Sequence, residues 1–474
     1  MNMRKTKIVC TIGPASTSES VLKDMIHAGM NVARLNFSHG THDSHRAIIH
    51  SLRAIREELN EPVAILLDTK GPEIRIGTFP EGEVVLEEGQ AFTLTGREIE
   101  GSAQGVSITY PNLASSLKIG DRVLIDDGRI VLTVTSLDEK DIHCHVLTGG
   151  VLRNRKGVNL PNISVDMPFL SERDKSDLLF GIEEQIDFVS ASFVRRRDDV
   201  RILRSFLNEN GGERIGIISK IENAEGVDNF EEILQESDGI MVARGDMGVE
   251  IPFQKIPGIQ KKLIRRTCEE GKISITATHM LESMIEKTTP TRAEITDVAN
   301  AVFDGTSAVM LSGETAMGAH PVLAVQTMAG IAMQAEADAS DVDLFRETVI
   351  RGERTDMSFA ISDAVCTIAQ DIKARMIVAF TKNGSAATEI SGFRPNVPII
   401  AVSSDSLVPY SLALAWGVYP IAVEDCKDEE RALAEAIAYA KKMGIVGRHD
   451  PIVMTADVPT HINRSTGLIH VGSV

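Results

Sequence analysis

The chain has 474 residues, 43% of them hydrophobic, with five cysteines and a formal net charge of −18. That length exceeds one small core and sets an expectation of about three domains, and no apolar run approaches the ~20 residues of a membrane span. The acidic balance disfavours nucleic acid as the main partner, and the odd, scattered cysteines (10, 144, 268, 366 and 426) argue against a disulfide framework or a cysteine zinc site.

The start, Met1-Asn-Met-Arg-Lys-Thr-Lys7, carries no signal-peptide core, so a reducing cytoplasm is expected. Apolar runs then recur, each stopping at a polar or Gly-rich turn. Run 7–10 stops at Thr11-Ile-Gly-Pro-Ala-Ser16, run 30–35 at Asn36-Phe-Ser-His-Gly40 and run 63–67 at Asp68-Thr-Lys-Gly-Pro72. After an interruption, run 186–189 stops at Ser190-Ala-Ser192, 215–219 at Lys220 and 239–243 at Arg244-Gly-Asp246. Runs 273–275 and 308–311 stop at Thr276-Ala-Thr278 and Ser312-Gly-Glu-Thr315. Helical patterns fall between them, among them 19–28, 42–58, 172–184, 198–208, 253–270 and 292–303. Strands alternating with helices imply parallel pairing. Eight such units close a (β/α)8 TIM-type barrel, with an open doubly wound sheet as the alternative. The active site of that barrel lies at the C-terminal strand ends, where nearly all the unusual polar motifs of this chain fall.

The interruption, 73–168, holds short alternating runs at 83–86, 91–95, 122–126, 129–134 and 142–146 punctuated by Gly, Asp and Pro. It reads as a small all-β domain inserted after the third strand, a lid over the barrel mouth. The expected division is therefore 1–72 and 169–339 for the barrel, 73–168 for the insertion and 340–474 for a C-terminal α/β domain. Segment 338–356 is charged and reads as helix or linker. The last domain shows strand patterns at 376–380, 399–402, 418–423, 452–454 and 468–471, and helical patterns at 356–373, 386–391, 407–415 and 428–443. Its first strand ends at Thr381-Lys382-Asn383-Gly384-Ser385, donors at a helix start. That is a phosphate or carboxylate cradle or an ordinary strand–helix turn, and the residues accommodate both.

Lys220 and Glu222 sit two apart where a strand runs out and so share a face. Arg34, Lys220 and Arg75 are cations suited to phosphate oxygens. Glu222 and Asp246, at successive strand ends, can share Mg2+ or Mn2+. Asn36, Ser38, Asp68 and Thr69 offer only oxygen, wrong for zinc and suited to a large monovalent cation. Gly245 lets backbone N–H groups approach an anion. Singly these are a surface ion pair, a helix cap or a turn. Together, at barrel strand ends, they point to phosphoryl transfer with metal ions and no phosphoenzyme.

The motifs Thr11-Ile-Gly-Pro-Ala-Ser, Asn31-Val-Ala-Arg-Leu-Asn-Phe-Ser-His-Gly40, Leu67-Asp-Thr-Lys-Gly-Pro-Glu-Ile-Arg75, Lys156-Gly-Val-Asn-Leu-Pro161, Ser219-Lys-Ile-Glu-Asn223, Ala243-Arg-Gly-Asp246 and Pro290-Thr-Arg-Ala-Glu294 resemble the pyruvate kinase family over essentially the whole chain. The resemblance implies transfer of the phosphoryl group of phosphoenolpyruvate to ADP, giving ATP and pyruvate, under allosteric control in a homotetramer. It implies catalytic roles for Lys220, Thr278 and Arg75, and phosphoenolpyruvate binding by Arg34, Lys220, Gly245, Asp246 and Thr278. It further implies magnesium on Glu222 and Asp246, and potassium on Asn36, Ser38, Asp68 and Thr69, with Glu73 as the residue type that accompanies potassium dependence. Asn36, Phe37, Ser38, His39, Arg75 and Lys156 match nucleotide contacts. Two positions depart from the pattern. His279 stands where Gln is common, and Ala386 replaces the usual hydroxyl residue after Thr381–Ser385. A sugar-phosphate or nucleotide effector is expected at that loop, and Ala386 weakens the case for fructose 1,6-bisphosphate in particular. Two other readings are a metal-dependent barrel with carbon–carbon chemistry, which leaves Lys156 and the potassium set unexplained, and a silent nucleotide or sugar-phosphate sensor, which the intact catalytic set opposes.

Overall fold

The computed structural model describes residues 3–161, 163, 165–341, 356–424, 429–458 and 466–474. Eight of its strands are fully parallel: β1 (Lys7–Thr11), β2 (Val32–Asn36), β3 (Ala64–Asp68), then, after the insertion, β13 (Phe188–Ala191), β14 (Gly216–Ile221), β15 (Gly239–Ala243), β16 (Ile273–Ala277) and β17 (Ala308–Leu311). They close as β1-β17-β16-β15-β14-β13-β3-β2, so the barrel expected from the eight apolar runs is present. Val9, Val32, Leu66, Ile218, Met241, Ile275 and Met310 share one buried cluster with Ala413 and Leu414 of the C-terminal part, which seats that part on the barrel.

Local signals explain the helices around the barrel. Ser18 caps the helix Glu19–Ala28 through a bond from the N–H of Val21. Thr41, Ser171 and Thr291 form reciprocal capping boxes for His42–Leu59, Glu172–Glu183 and Arg292–Phe303. The helix expected over 253–270 is a tight turn, Phe253–Lys255, followed by Ile256–Glu269. Pro257 sits in its first turn, where a missing N–H costs nothing. The expected helix 407–415 shortens to Val408–Ser411.

The insertion holds β4 (Ile74–Arg75), β5 (Glu83–Leu86), β6 (Ala91–Thr95), β7 (Gly105–Ser107), β8 (Arg122–Ile125), β9 (Ile130–Leu137), β10 (Asp141–Thr148), β11 (Gly150–Arg153) and β12 (Gly157–Asn159). Seven make one sheet, β4-β12-β8-β9-β10-β6-β7, and β11 pairs with β5. The two- and three-residue strands β4, β7 and β12 are too short to show a period in sequence. A final sheet, β20-β19-β18-β21-β22, is formed by β18 (Met376–Phe380), β19 (Ile399–Ser403), β20 (Val418–Ala422), β21 (Pro451–Val458) and β22 (Thr466–Ser473). The charged segment 338–356 begins in the helix Pro321–Asp341, and its residues 342–355 lie outside the described ones. No helix among the described residues is long and apolar enough to cross a membrane.

Candidate active site

The centre is built where β2, β3, β13 and β14 end. Asp68 is 1% exposed and stands opposite Asn36 and Ser190 in the register of its neighbours. Arg34 Nε donates to its Oδ2 at 2.5 Å, and Arg34 Nη1 donates to Thr11 Oγ1 at 2.8 Å. Lys220 Nζ reaches Asp68 Oδ1 at 3.3 Å and Glu222 Oε1 at 2.9 Å, and donates to Ser192 Oγ at 2.7 Å. The Ser192 hydroxyl in turn donates to the Thr69 carbonyl at 2.7 Å. Burial alone would raise the Asp68 carboxyl, but Arg34 and Lys220 together hold it below the usual range. Burial alone would lower Lys220, yet Asp68 and Glu222 push it above the ordinary lysine value, so its charge persists at neutral pH.

Glu222 is also 1% exposed. Its Oε2 accepts from the N–H of Phe193 at 2.7 Å, while Oε1 faces Lys220 without the alignment of a hydrogen bond. Burial pushes its carboxyl up to about 7, and Asp246 adds to the rise. A buried, under-bonded oxygen close to a second carboxylate is what a divalent cation satisfies, and a cation would reverse the rise. The pair fits such an ion. Asp246 lies in Arg244–Glu250, a short helix that the sequence pattern does not announce and that starts where β15 stops. The N–H of Gly245 donates to Thr278 Oγ1 at 2.8 Å, tying that helix to the residue after β16. Thr278 and His279 hold φ of 67° and 56°, left-handed values that L residues rarely adopt.

The other expected cation set is all oxygen, as a large monovalent ion requires. Asn36 Oδ1 accepts from the N–H of Ser38 at 3.0 Å, and Thr69 Oγ1 accepts from the N–H of Ser192 at 3.1 Å. Across the mouth, Arg75, Asp126, Lys156, Asn223, Asp246 and Glu250 line a cleft of about 600 Å³ between insertion and barrel. Arg75 is 2.7 Å from Glu73 and donates to the Arg155 carbonyl at 2.6 Å. Lys156 is 2.8 Å from Asp126. Each of these cations therefore rests on a carboxylate of its own segment.

Residues 3–325 match the family description "Pyruvate kinase, barrel domain", and 359–472 match "Pyruvate kinase, alpha/beta domain". The chain belongs to the pyruvate kinase family. It is 47% identical to the pyruvate kinase of Clostridium acetobutylicum over 470 residues, covering 99% of both chains. It is also 47% identical to that of Staphylococcus epidermidis over 471 residues, covering 99% of this chain and 80% of the relative. A crystal structure of a pyruvate kinase from Cryptosporidium parvum superposes with a TM-score of 0.94 at 39% identity, covering 99% of this chain and 96% of the other.

Among the residues that the pyruvate kinase resemblance singled out, Arg34, Asp68, Thr69, Lys220 and Glu222 converge through direct contacts or through Ser192, Gly245 meets Thr278, and Arg75, Lys156 and Asp246 face one cleft. Phe37 does not offer its ring to that cleft. It is buried and stacked on His45, centroids 4.2 Å apart, because the barrel core claims it. The His39 side chain is exposed, and its carbonyl accepts from His45 Nε2 at 2.9 Å. The Thr381–Ser385 turn closes on itself. Thr381 Oγ1 accepts from Gly384, which takes a φ of 90°, and Asn383 Oδ1 accepts from Ser385. An ordinary strand–helix turn accounts for those bonds, with Lys382 left exposed. Ser192, Asp126, Arg244 and Glu250 were given no role from sequence. Ser192 and Arg244 had a signal, their places at barrel strand ends. On the insertion, Asp138, Asp141 and His143 also converge, but Arg97 already neutralises Asp141.

Proposed function

We propose that Lys220, Arg34, Glu222, Asp246 and Thr278 carry the reaction of this enzyme, a glycolytic phosphotransferase that moves the phosphoryl group of phosphoenolpyruvate to ADP. The products are ATP and, once the enolate is protonated, pyruvate. Arg34 and the backbone at Gly245 and Asp246 bind phosphoenolpyruvate, the Asp246 N–H as donor and Gly245 by leaving room for close approach, its own N–H being held by Thr278 Oγ1. Lys220 meets the phosphoryl group as charge spreads over its oxygens, where a fixed cation in a water-poor site acts most strongly. Asp68 holds both cations in place and keeps their positive charges from repelling each other out of the pocket. Thr278 stands beside the carbon that is protonated. Arg75 and Lys156 exchange Glu73 and Asp126 for nucleotide phosphates, with Asn36, Ser38, His39 and the backbone of Phe37 beside them. The family is metal-dependent. Glu222 and Asp246 would hold Mg2+ or Mn2+, and Asn36, Ser38, Asp68 and Thr69 would hold K+, supplying charge that neutralises phosphate oxygens. The insertion, 73–168, serves as the lid. The reading extends to a homotetramer in the cytoplasm and to a sugar-phosphate or nucleotide effector at Thr381–Ser385, supported by family membership and the exposed Lys382.

The observation that carries the assignment is the contact of Lys220 with both Asp68 and Glu222 at the rim of the closed barrel. Pyruvate formation is compared for the wild type and Lys220→Met, with and without Mg2+ and with tetramethylammonium in place of K+. Lys220→Met is expected to lose about 100-fold or more in kcat while still binding Mn2+ and phosphoenolpyruvate. Turnover near that of the wild type refutes the role of Lys220. Full activity in sodium- and potassium-free buffer refutes the potassium assignment.

A further inference from the structure

The Arg244 guanidinium has five N–H donors, and five acceptors face them. Nε donates to the Ala277 carbonyl at 3.1 Å and Nη2 to the Thr278 carbonyl at 2.5 Å, with Met280 Sδ at 2.8 Å from the same nitrogen. Nη1 donates to Asp297 Oδ1 at 2.7 Å and faces Gln260 Oε1 at 3.4 Å. The next residue, Gly245, donates its N–H to Thr278 Oγ1. One short stretch therefore grips Thr278 at three points, the carbonyl before it, its own carbonyl and its hydroxyl.

That grip falls on a strained site. Thr278 is β-branched and left-handed, followed by a second left-handed residue, and the one local bond it makes, from its hydroxyl to the Ala277 carbonyl at 2.6 Å, accompanies a backbone that L residues rarely adopt. Released, the Ala277–His279 turn would relax toward an extended or right-handed conformation and carry the hydroxyl away. Strain of this kind persists only where surrounding contacts over-determine it. Asp297 and Gln260, on two other helices, fix the guanidinium plane, so the restraint is anchored in the barrel wall.

We propose that Arg244 is the positioning residue for enolate protonation: it holds Thr278 in its left-handed conformation and so keeps the hydroxyl, which donates to the Ala277 carbonyl at 2.6 Å, where it can turn to the substrate carbon. The inference rests on the functional reading above. The geometry also separates it from a simple charge effect. Lysine would keep a positive charge near Asp297, but its three donors on one nitrogen cannot span both carbonyls and two side chains.

The test uses the full chain carrying Arg244→Met or Arg244→Lys, with three measurements. These are steady-state pyruvate formation, release of tritium from methyl-labelled pyruvate in the presence of ATP and metals, and Mn2+ binding. In both variants tritium release is expected to fall about 100-fold, the loss that a displacement near 1 Å brings, with kcat falling alongside. Mn2+ affinity is expected to stay within about 3-fold, because Glu222 and Asp246 are not what Arg244 holds. Tritium release at the wild-type rate in Arg244→Lys overturns the inference, since charge alone would then suffice. A fall in Mn2+ affinity matching the fall in activity also overturns it, because the whole helix would then have moved. A wild type that forms no pyruvate refutes the functional reading itself, an outcome distinct from either.

Discussion

Replacing Asp187 by Asn should make the protein more stable, and by an amount that grows with pH. Asp187 lies under the barrel, where its Oδ2 accepts from the N–H of Ile65 at 2.7 Å and sits 3.5 Å from Arg56 Nη1. The Arg56 guanidinium is stacked on Tyr410 of the C-terminal part, 3.7 Å from the ring centroid. Burial pushes the Asp187 carboxyl from 3.8 up to about 6, and Arg56 only partly offsets it. An acid whose folded value is raised favours the folded state while protonated. The cost of charging it is absent below the unfolded value and fully present above the folded one. The gap of about 2 units corresponds to about 3 kcal/mol accumulating between about pH 4 and pH 6. Asn keeps the shape and an acceptor for Ile65 but never ionises. Urea unfolding can be followed by the fluorescence of Trp416, the single tryptophan, which is buried with Ala332 and Ala335 of the barrel helix Pro321–Asp341. In titrations from about pH 4.5 to 7.5 the variant should gain on the wild type up to about pH 6 and then level off at about 2–3 kcal/mol. A gap that stays flat with pH, or that moves in favour of the wild type, would show that Arg56 more than offsets burial.

Gly245→Ala should separate binding from folding. An added Cβ would meet Thr278 Oγ1 at 3.5 Å and Cγ2 at 3.6 Å, ordinary contacts, so the thermal midpoint should hold. The KM for phosphoenolpyruvate should rise about 10-fold, the worth of one hindered hydrogen bond, and an unchanged KM refutes the close approach assigned to Gly245. Arg394→Ala should cost about 3–5 kcal/mol in thermal or urea unfolding. Arg394 is 3% exposed and donates across to the barrel, to Gly305 O at 2.8 Å and Ser307 Oγ at 3.0 Å, and within its own part to Ser391 O at 2.6 Å. A loss below about 1 kcal/mol would show that the two parts are held elsewhere.

Much of the frame could be read directly. Gly239–Ala243 and Ala308–Leu311 begin and end where the apolar runs do, and Glu19–Ala28 and Arg292–Phe303 begin after Ser18 and Thr291, caps visible in the chain. Burial on both faces leaves a continuous apolar signature, and a cap acts within one turn, so neither needs distant information. The helix Arg244–Glu250 escaped because it is only about two turns long and has no side-chain cap.

Sequence alone determined the order of the barrel strands, their closure by number and the kinds of charge placed at their ends, because side-chain alternation and turn chemistry are local. Only the tertiary structure decided who touches whom. Lys220 meets Asp68 across 152 positions, Lys156 rests on Asp126, and Arg244 fans out to Thr278 and Asp297. Those pairings follow from strand register and from helices leaning on a closed sheet, and periodicity says only which way a side chain faces, never what waits for it there.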